Sequence, residues 1–165
     1  MATPAHRTAP SSSYFVTTKC WEGRAAFQVT EVAEILLSSI FHYRDSGAYL
    51  LHEFVIMPDH LHALITVHQA MTIEKAMQLI KGRFSHRLKL ETGYLGEIWQ
   101  RGFSEVQVMN SESLLKHRDY IAQNPVKAGL VNSPEQYPFC FRSLAKKKAV
   151  RADTISMAGA EAHIS

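Results

Sequence analysis

The sequence predicts an α+β sandwich in which an antiparallel sheet carries helices on one face, in the ferredoxin-like order β-α-β-β-α-β. Apolar residues follow strand-like and helix-like spacing in the order strand, helix, two strands, helix, strands, helix. The dipeptide Pro58-Asp59 is typical of a tight turn and joins two apolar runs into a hairpin. The chain has 165 residues, 46% of them hydrophobic, which is enough for one domain with a buried core.

The first half of the chain is predicted to supply three strands and one helix. Residues 14–18 are rich in aromatic and β-branched side chains, which favours a strand. Residues 27–43 place apolar side chains at helical spacing, and Gly47 breaks this helix. Residues 49–57 and 60–67 are the two antiparallel strands of the hairpin.

The next helix is predicted to begin after Thr72, whose side chain is a suitable N-cap, and to run to Leu88. Two short strands are expected at residues 97–103 and 104–109. A last helix is predicted over residues 111–124 and begins with a serine cap. It should end before the next residue, a proline, because proline disfavours the helical conformation of the residue that precedes it.

Composition and charge narrow the class of protein. We expect a disordered lead at residues 1–12, one domain at residues 13–144, and a basic, flexible tail at residues 145–165. The net charge of +3 permits a nucleic-acid partner without requiring one. Cys20 and Cys140 show neither metal-site nor disulfide-framework spacing. The sequence lacks an apolar run of about 20 residues and a signal peptide, so a cytoplasmic location is expected.

The triplet His60-Leu61-His62 opens the third predicted strand. Residues two apart on a strand point to the same face, so the two imidazoles should project side by side and could hold a divalent metal. On its own this short motif is weak. Two partly buried histidines that bond to the backbone are the more common interpretation, and a third ligand would change that balance.

The last predicted helix offers a third ligand and a nucleophile. Tyr120 and Asn124 are four residues apart and share one helix face. The amide oxygen of Asn124 could join the two histidines around a metal, with Tyr120 placed to attack a phosphate that the metal polarises. Mg²⁺ or Mn²⁺ would suit phosphate chemistry, and the imidazoles favour Mn²⁺. The alternatives are a half-buried Tyr120 with a surface hydroxyl and an Asn124 that caps its own helix.

A basic helix face and the segment that follows it are the predicted DNA contacts. The contributing residues are Lys81, Arg83, Arg87, Lys89, Trp99 and Arg101. Basic side chains bind phosphates and aromatic side chains stack on bases, so these residues could contact a nucleic acid. The alternatives are a solvated helix face and a tryptophan that belongs to the core.

Five segments occur together in a family-specific order. They are Tyr14-Phe15-Val16-Thr17-Thr18, Met57-Pro58-Asp59-His60-Leu61-His62, Met77-Gln78-Leu79-Ile80-Lys81-Gly82, Ile98-Trp99-Gln100-Arg101-Gly102-Phe103 and the run from Tyr120 to Val131. Over roughly residues 14–142 the chain resembles the REP-associated tyrosine transposases, bacterial relatives of single-strand insertion-sequence transposases in the HUH superfamily. The histidine triplet combined with the last segment is specific to that family.

The resemblance implies a ferredoxin-like HUH domain that cuts and rejoins single-stranded DNA. It implies that Tyr120 attacks a phosphodiester to give a 5′-phosphotyrosine and a free 3′-hydroxyl, and that a second transesterification restores the tyrosine. His60 and His62 match the family's metal ligands, and Asn124 matches the third position, where Gln123 is the competing residue. The implied partner is single-stranded DNA with a hairpin of the repetitive extragenic palindrome type, bound by a monomer or a homodimer.

Two other functions remain open from the sequence. A domesticated relative would bind DNA hairpins without strand transfer. A metal-dependent nuclease in which water attacks would leave free 5′-phosphate ends and would tolerate Tyr120→Phe.

Overall fold

A four-stranded antiparallel sheet lies at the centre of the computed structural model, which describes residues 11–68 and 70–148. The strands are β1 (Ser12–Lys19), β2 (Leu50–Met57), β3 (His60–Val67) and β4 (Ser104–Val108), and the main helices are α1 (Thr30–Asp45), α2 (Ile73–Thr92) and α3 (Ser111–Lys127). Across the sheet the strand order is β2-β3-β1-β4. The predicted ferredoxin-like order, β1-α1-β2-β3-α2-β4, is confirmed, and α3 follows it.

The two faces of the sheet are covered by different helices. Helices α1 and α2 pack on the larger core, which includes Leu61 and Ile65 of β3. Helix α3 packs on the opposite face through Ile121, against Val55 and Leu64. The prediction placed the helices on one face, and α3 departs from it. The reason is that every residue of β3 except the first is buried, so the sheet needs cover on both sides.

The ends of the helices follow local capping chemistry, with two departures from the prediction. The side chain of Thr72 accepts a bond from the backbone N–H of Lys75, as expected of the N-cap of α2. Helix α3 is capped by Asn110 and not by a serine. It also continues through Pro125 to Lys127, because the N–H of Ala128 bonds to the Asn124 carbonyl at 3.0 Å across the proline. A Schellman bond from the N–H of Leu130 to the Pro125 carbonyl, also 3.0 Å, then ends the helix.

Three other predicted segments differ from the structure in their type or in their bounds. Residues 97–103 form a loop that touches the sheet through a single bridge between Cys20 and Trp99, and not a strand. The end of the predicted lead, Ser12, already belongs to β1, whereas residues 1–10 lie outside the described residues. Residues 141–148 are helical, so the first part of the predicted tail is ordered, and the remainder is also outside the described range. No helix in the described part of the chain is long and apolar enough to cross a membrane.

Candidate active site

The two histidines stand at the start of β3, between β2 and β1. His60 lies opposite Lys19 of β1 and His62 lies opposite Thr17, so all four side chains point to the face that α3 covers. The imidazole centroids are 4.5 Å apart. The sheet register therefore produces the side-by-side arrangement that the triplet predicts.

Hydrogen bonds orient both rings so that the same nitrogen of each faces the other. The Nδ1 atom of His60 lies 2.6 Å from the Asp59 carboxylate, and Nδ1 of His62 lies 2.8 Å from the Thr17 hydroxyl. The two Nε2 atoms are 3.0 Å apart. This separation suits a shared cation, because two metal–nitrogen bonds of about 2.1 Å at right angles place their nitrogens about 3 Å apart. Outer partners on Nδ1 are the usual companions of metal-binding histidines.

The protonation state of His62 agrees with a ligand role. Only 7% of this residue is exposed, and its pKa is lowered to about 4, first by burial and then by the charges of His60 and Lys19. The ring is therefore neutral near neutral pH. A neutral imidazole has the free lone pair that a metal needs.

Tyr120 stands beside this pair on α3. Its ring centroid is 5.9 Å from that of His62 and 5.8 Å from that of Phe15, and it meets both rings edge-on. Phe15 in turn stacks on His62 at 5.2 Å. Tyr120 is 45% exposed, and the Nζ atom of Lys127 lies 5.2 Å from its ring centroid. The structure thus brings an accessible phenol next to the histidines, although Tyr120 and His62 are far apart in the sequence.

The predicted third metal ligand is an amide side chain of α3. No cluster of three or more His, Cys, Asp or Glu side chains that could hold a metal exists within residues 11–68 and 70–148. Gln123 and Asn124 both lie half-buried on the helical turn that follows Tyr120. An amide oxygen from this turn fits the donor set, since carbonyl oxygens suit Mg²⁺ and Mn²⁺.

An open cavity of about 620 Å³ leads to the histidines. Lys19 is the cation among its lining residues, and Asp59 and Gln100 border it as well. The sequence analysis missed Lys19, Thr17 and Asp59. The pairing of β1 with β3 would have revealed the first two, because Lys19 lies directly opposite His60, and Thr17 directly opposite His62. A lysine in this position supplies positive charge where a phosphate would enter.

Trp99 is a core residue and not a stacking platform for a DNA base. It is 8% exposed, and its ring packs at 5.4 Å from Phe27 and 5.3 Å from Phe84. The prediction that Trp99 binds DNA is therefore corrected. The cause is the bridge between Trp99 and Cys20, which turns the indole inward beneath the sheet.

The basic residues of α2 fall into different environments. The Lys81 Nζ atom donates to the Gly102 carbonyl at 2.9 Å, so this ammonium braces the loop before β4. Burial lowers the pKa of Lys81. Arg87 forms an i,i+4 salt bridge with Glu91. Arg83 is half-buried, whereas Lys89 and Arg101 are exposed. The predicted DNA contacts thus divide into side chains that already bond within the protein and side chains that are exposed to solvent.

A family model and two sequence relatives all indicate similarity to transposases. A family model described as "Transposase IS200 like" matches residues 11–124, which include both histidines and Tyr120. A REP-associated tyrosine transposase of Escherichia coli K12 is 27% identical over 128 residues, which cover 77% of this chain and 74% of that protein. A putative REP-associated tyrosine transposase of Haemophilus influenzae is 30% identical over 94 residues, which cover 51% of this chain and 53% of that protein.

Solved structures agree with the sequence relatives. A REP-associated tyrosine transposase bound to a REP hairpin superimposes with a TM-score of 0.69 at 25% identity, over 85% of this chain and 82% of that one. A putative transposase of Deinococcus radiodurans superimposes with a TM-score of 0.53 at 17% identity, over 73% of this chain and 95% of that one. The second likeness supports the fold alone.

Proposed function

We propose, on the premise that this chain belongs to the IS200-like transposase family, that it cuts and rejoins single-stranded DNA through a covalent bond to Tyr120. The observation that carries this proposal is the position of Tyr120 against His62. A half-exposed phenol beside two convergent imidazoles suits attack on a bound phosphate. The chain is a transposase by family.

In the cutting step the Tyr120 oxygen bonds to the phosphorus and the bond from phosphorus to the 3′-oxygen breaks. The phenol proton leaves, and the departing 3′-oxygen takes up a proton. The products are a 5′-phosphotyrosine and a free 3′-hydroxyl. Rejoining is the reverse reaction with another 3′-hydroxyl as the nucleophile, and it returns the tyrosine to its free state.

His60 and His62 would hold a divalent cation, Mg²⁺ or Mn²⁺, with Asn124 as the third ligand and Gln123 as the competing residue. The cation would supply charge withdrawal from the phosphate oxygens and orientation of the phosphorus for attack. Asp59 and Thr17 hold the two rings at the required angle. The positive charge of Lys19 in the cavity attracts the phosphate and reduces the repulsion between its oxygens and the incoming phenol.

The proposed DNA partner is a single strand with a hairpin. A related transposase has been solved bound to a REP hairpin. In this chain Arg101 is exposed and follows Gln100, which borders the cavity, and this supports a contact of Arg101 with DNA near the cut. Arg83 and Lys89 are further candidates, whereas the salt bridge of Arg87 with Glu91 competes with phosphate binding.

The DNA-contact proposal can be tested with two matched arginine variants. Arg101→Gln should weaken hairpin binding by about 1 kcal/mol and lower its dependence on salt. Arg87→Gln should have a smaller effect, because Glu91 already neutralises that guanidinium. Fluorescence anisotropy at several salt concentrations measures both. An equal loss in the two variants would contradict the assignment.

The nucleophile can be tested with DNA labelled at either end. Incubation of the protein with hairpin-bearing single strands and Mn²⁺ should give a covalent adduct to the 5′ end of the downstream fragment, seen on a denaturing gel. Tyr120→Phe removes only the hydroxyl, so it should abolish the adduct and leave hairpin affinity within about threefold. An adduct that persists in this variant would refute the proposal. Free 5′-phosphates would indicate a water-using nuclease, and binding without any cut would indicate a hairpin-binding protein.

A further inference from the structure

Glu53 is an acidic residue that lies fully inside the protein. It belongs to β2, and its side chain is 0% exposed. It lies on the same face as Val55 and Met57, which pack under α3. Neither carboxylate oxygen has a hydrogen-bond partner in the described part of the chain. Burial of a carboxylate without hydrogen bonds lowers the stability of the fold, so a role other than stabilisation is expected for Glu53.

The neighbours of Glu53 form a short chain of charges that reaches the two residues before Tyr120 in α3. The Nε atoms of Arg142 and Arg118 lie 3.6 Å and 4.0 Å from one carboxylate oxygen of Glu53. Arg142 also donates to Asp119 at 3.0 Å. Arg118 and Asp119 are the two residues that directly precede Tyr120 in α3. The charges thus tie β2 and the helical residues 141–148 to the turn of α3 that carries the nucleophile.

This arrangement is poorly suited to stabilise the fold. Burial raises the pKa of Glu53 to about 7, although Arg142 and Arg118 oppose the shift. Buried ion pairs commonly stabilise a protein no more than apolar residues of the same volume would, and they can instead fix one geometry among several. The apolar contacts of α3 are few and non-directional. A charge contact from a strand of the sheet is directional, so it can select one rotation of the helix.

We propose that Glu53 is a positioning residue for Tyr120. By holding Arg118 and Arg142, its carboxylate sets the rotation of α3 on the sheet and so the placement of the phenol against His62. The inference rests on the proposed function, because it assigns Glu53 a part in the tyrosine reaction. The proposed role affects the rate of the chemical step and not the affinity for DNA, because Glu53 is buried and cannot contact the DNA.

The decisive variant is Glu53→Gln, which preserves size and removes the charge. With hairpin DNA and Mn²⁺ saturating, the single-turnover rate of adduct formation should fall about tenfold or more, because small displacements of a nucleophile are expensive. Hairpin affinity should stay within about twofold. Hydrogen exchange in α3 should become faster, with that of α2 unchanged. The melting temperature should not fall, because the neutral amide avoids the cost of burying the charge of Glu53, and both arginine side chains stay partly exposed.

Glu112→Gln is the matched control. It removes an exposed ion pair with Lys116 on the same helix, where the two charged atoms are 3.3 Å apart, and it should leave the rate and the exchange unchanged. A Glu53→Gln rate within about twofold of the unaltered protein would overturn the proposal. So would a lowered melting temperature with a normal rate at temperatures well below it, which is the mark of a purely structural role.

Arg142 provides a second route that does not depend on how Glu53→Gln folds. Arg142→Met should slow adduct formation as Glu53→Gln does, and Arg142→Lys should recover most of the rate. The double variant of Glu53→Gln with Arg142→Met should be no slower than the slower single variant, as expected for residues that act through one contact. Additive losses would contradict a shared role. If Tyr120→Phe still forms the adduct, the proposed function fails; if only the Glu53 and Arg142 variants behave normally, the positioning claim alone fails.

Discussion

Asp59 should control how tightly the site binds its metal, without controlling the fold of the hairpin. Its carboxylate lies 2.6 Å from Nδ1 of His60. The turn has separate support, because the N–H groups of Cys20 and Phe27 donate to the carbonyls of Asp59 and Pro58, both at 2.9 Å. Asp59→Asn therefore preserves the turn and changes only the charge and the acceptor that face His60.

The expected magnitude follows from the type of contact. Loss of an outer partner of a ligating histidine typically lowers metal affinity about 10- to 100-fold. The Asp59 side chain is 52% exposed, so water partly screens its charge and can replace the lost bond. We therefore expect the lower end of the range, about tenfold, which corresponds to about 1.4 kcal/mol.

The assay is a titration of adduct formation with Mn²⁺ at saturating hairpin DNA. For Asp59→Asn the half-saturating Mn²⁺ concentration should rise about tenfold, and the maximal rate should return at high Mn²⁺. Asp45→Asn is the control, because this exposed carboxylate pairs with Arg44 at the end of α1, away from the site. An unchanged half-saturating Mn²⁺ concentration would show that Asp59 does not act through the metal, whether or not the maximal rate falls.

Three further predictions concern stability and charge. The pKa of Glu53 is raised to about 7 from an ordinary 4.5, so folding takes up a proton between these values and the free energy of unfolding falls as pH rises through that window. Relative to the unaltered protein, Glu53→Gln should remove this fall of about 3 kcal/mol, as measured by urea unfolding at several pH values. Lys19→Gln should slow cutting about tenfold and weaken its dependence on salt, because one phosphate contact is lost, whereas Lys116→Gln on the outer side of α3 should change neither rate nor salt dependence. Trp99→Ala should lower the free energy of unfolding by about 3 to 5 kcal/mol in guanidinium chloride titrations, as expected of a core tryptophan; a change below about 1 kcal/mol would argue against its core role.

The sheet and the histidine pair could be predicted from the sequence because both depend on short-range patterns. The bounds of β3 agree with the predicted residues 60–67, since an apolar run that follows a proline-containing turn leaves little freedom. The common direction of His60 and His62 follows from the two-residue period of a strand. Helix spacing puts Tyr120 and Asn124 on one face and makes them candidates for this site, and the family resemblance is what singles them out, because no local pattern states which face of the sheet α3 will cover.

Long-range contacts account for the parts that could not be predicted. Lys81 lies on the basic helix face that is predicted to contact DNA, yet its ammonium reaches the carbonyl of a loop residue, with a sequence separation of 21. The sequence around Trp99 does not show whether its ring is exposed or buried. The bridge to Cys20, which is distant in the sequence, places the ring in the core. The local sequence around Glu53 predicts a polar side chain on the exposed face of a strand. Its burial requires α3 and residues 141–148 to fold over β2, which no local pattern indicates.

The candidate site combines a rigid half with an adjustable half. His60 and His62 belong to a strand that is hydrogen-bonded on both sides, so their geometry is fixed by the sheet. Tyr120 arrives on a helix held by a small apolar cluster and by the charges around Glu53. In the proposed reaction, cutting and rejoining pass through the same bond between Tyr120 and phosphorus. A variant that loosens α3 should therefore slow both steps by a similar factor, whereas a variant that alters DNA contacts should change them unequally, because the two steps bind different 3′ ends.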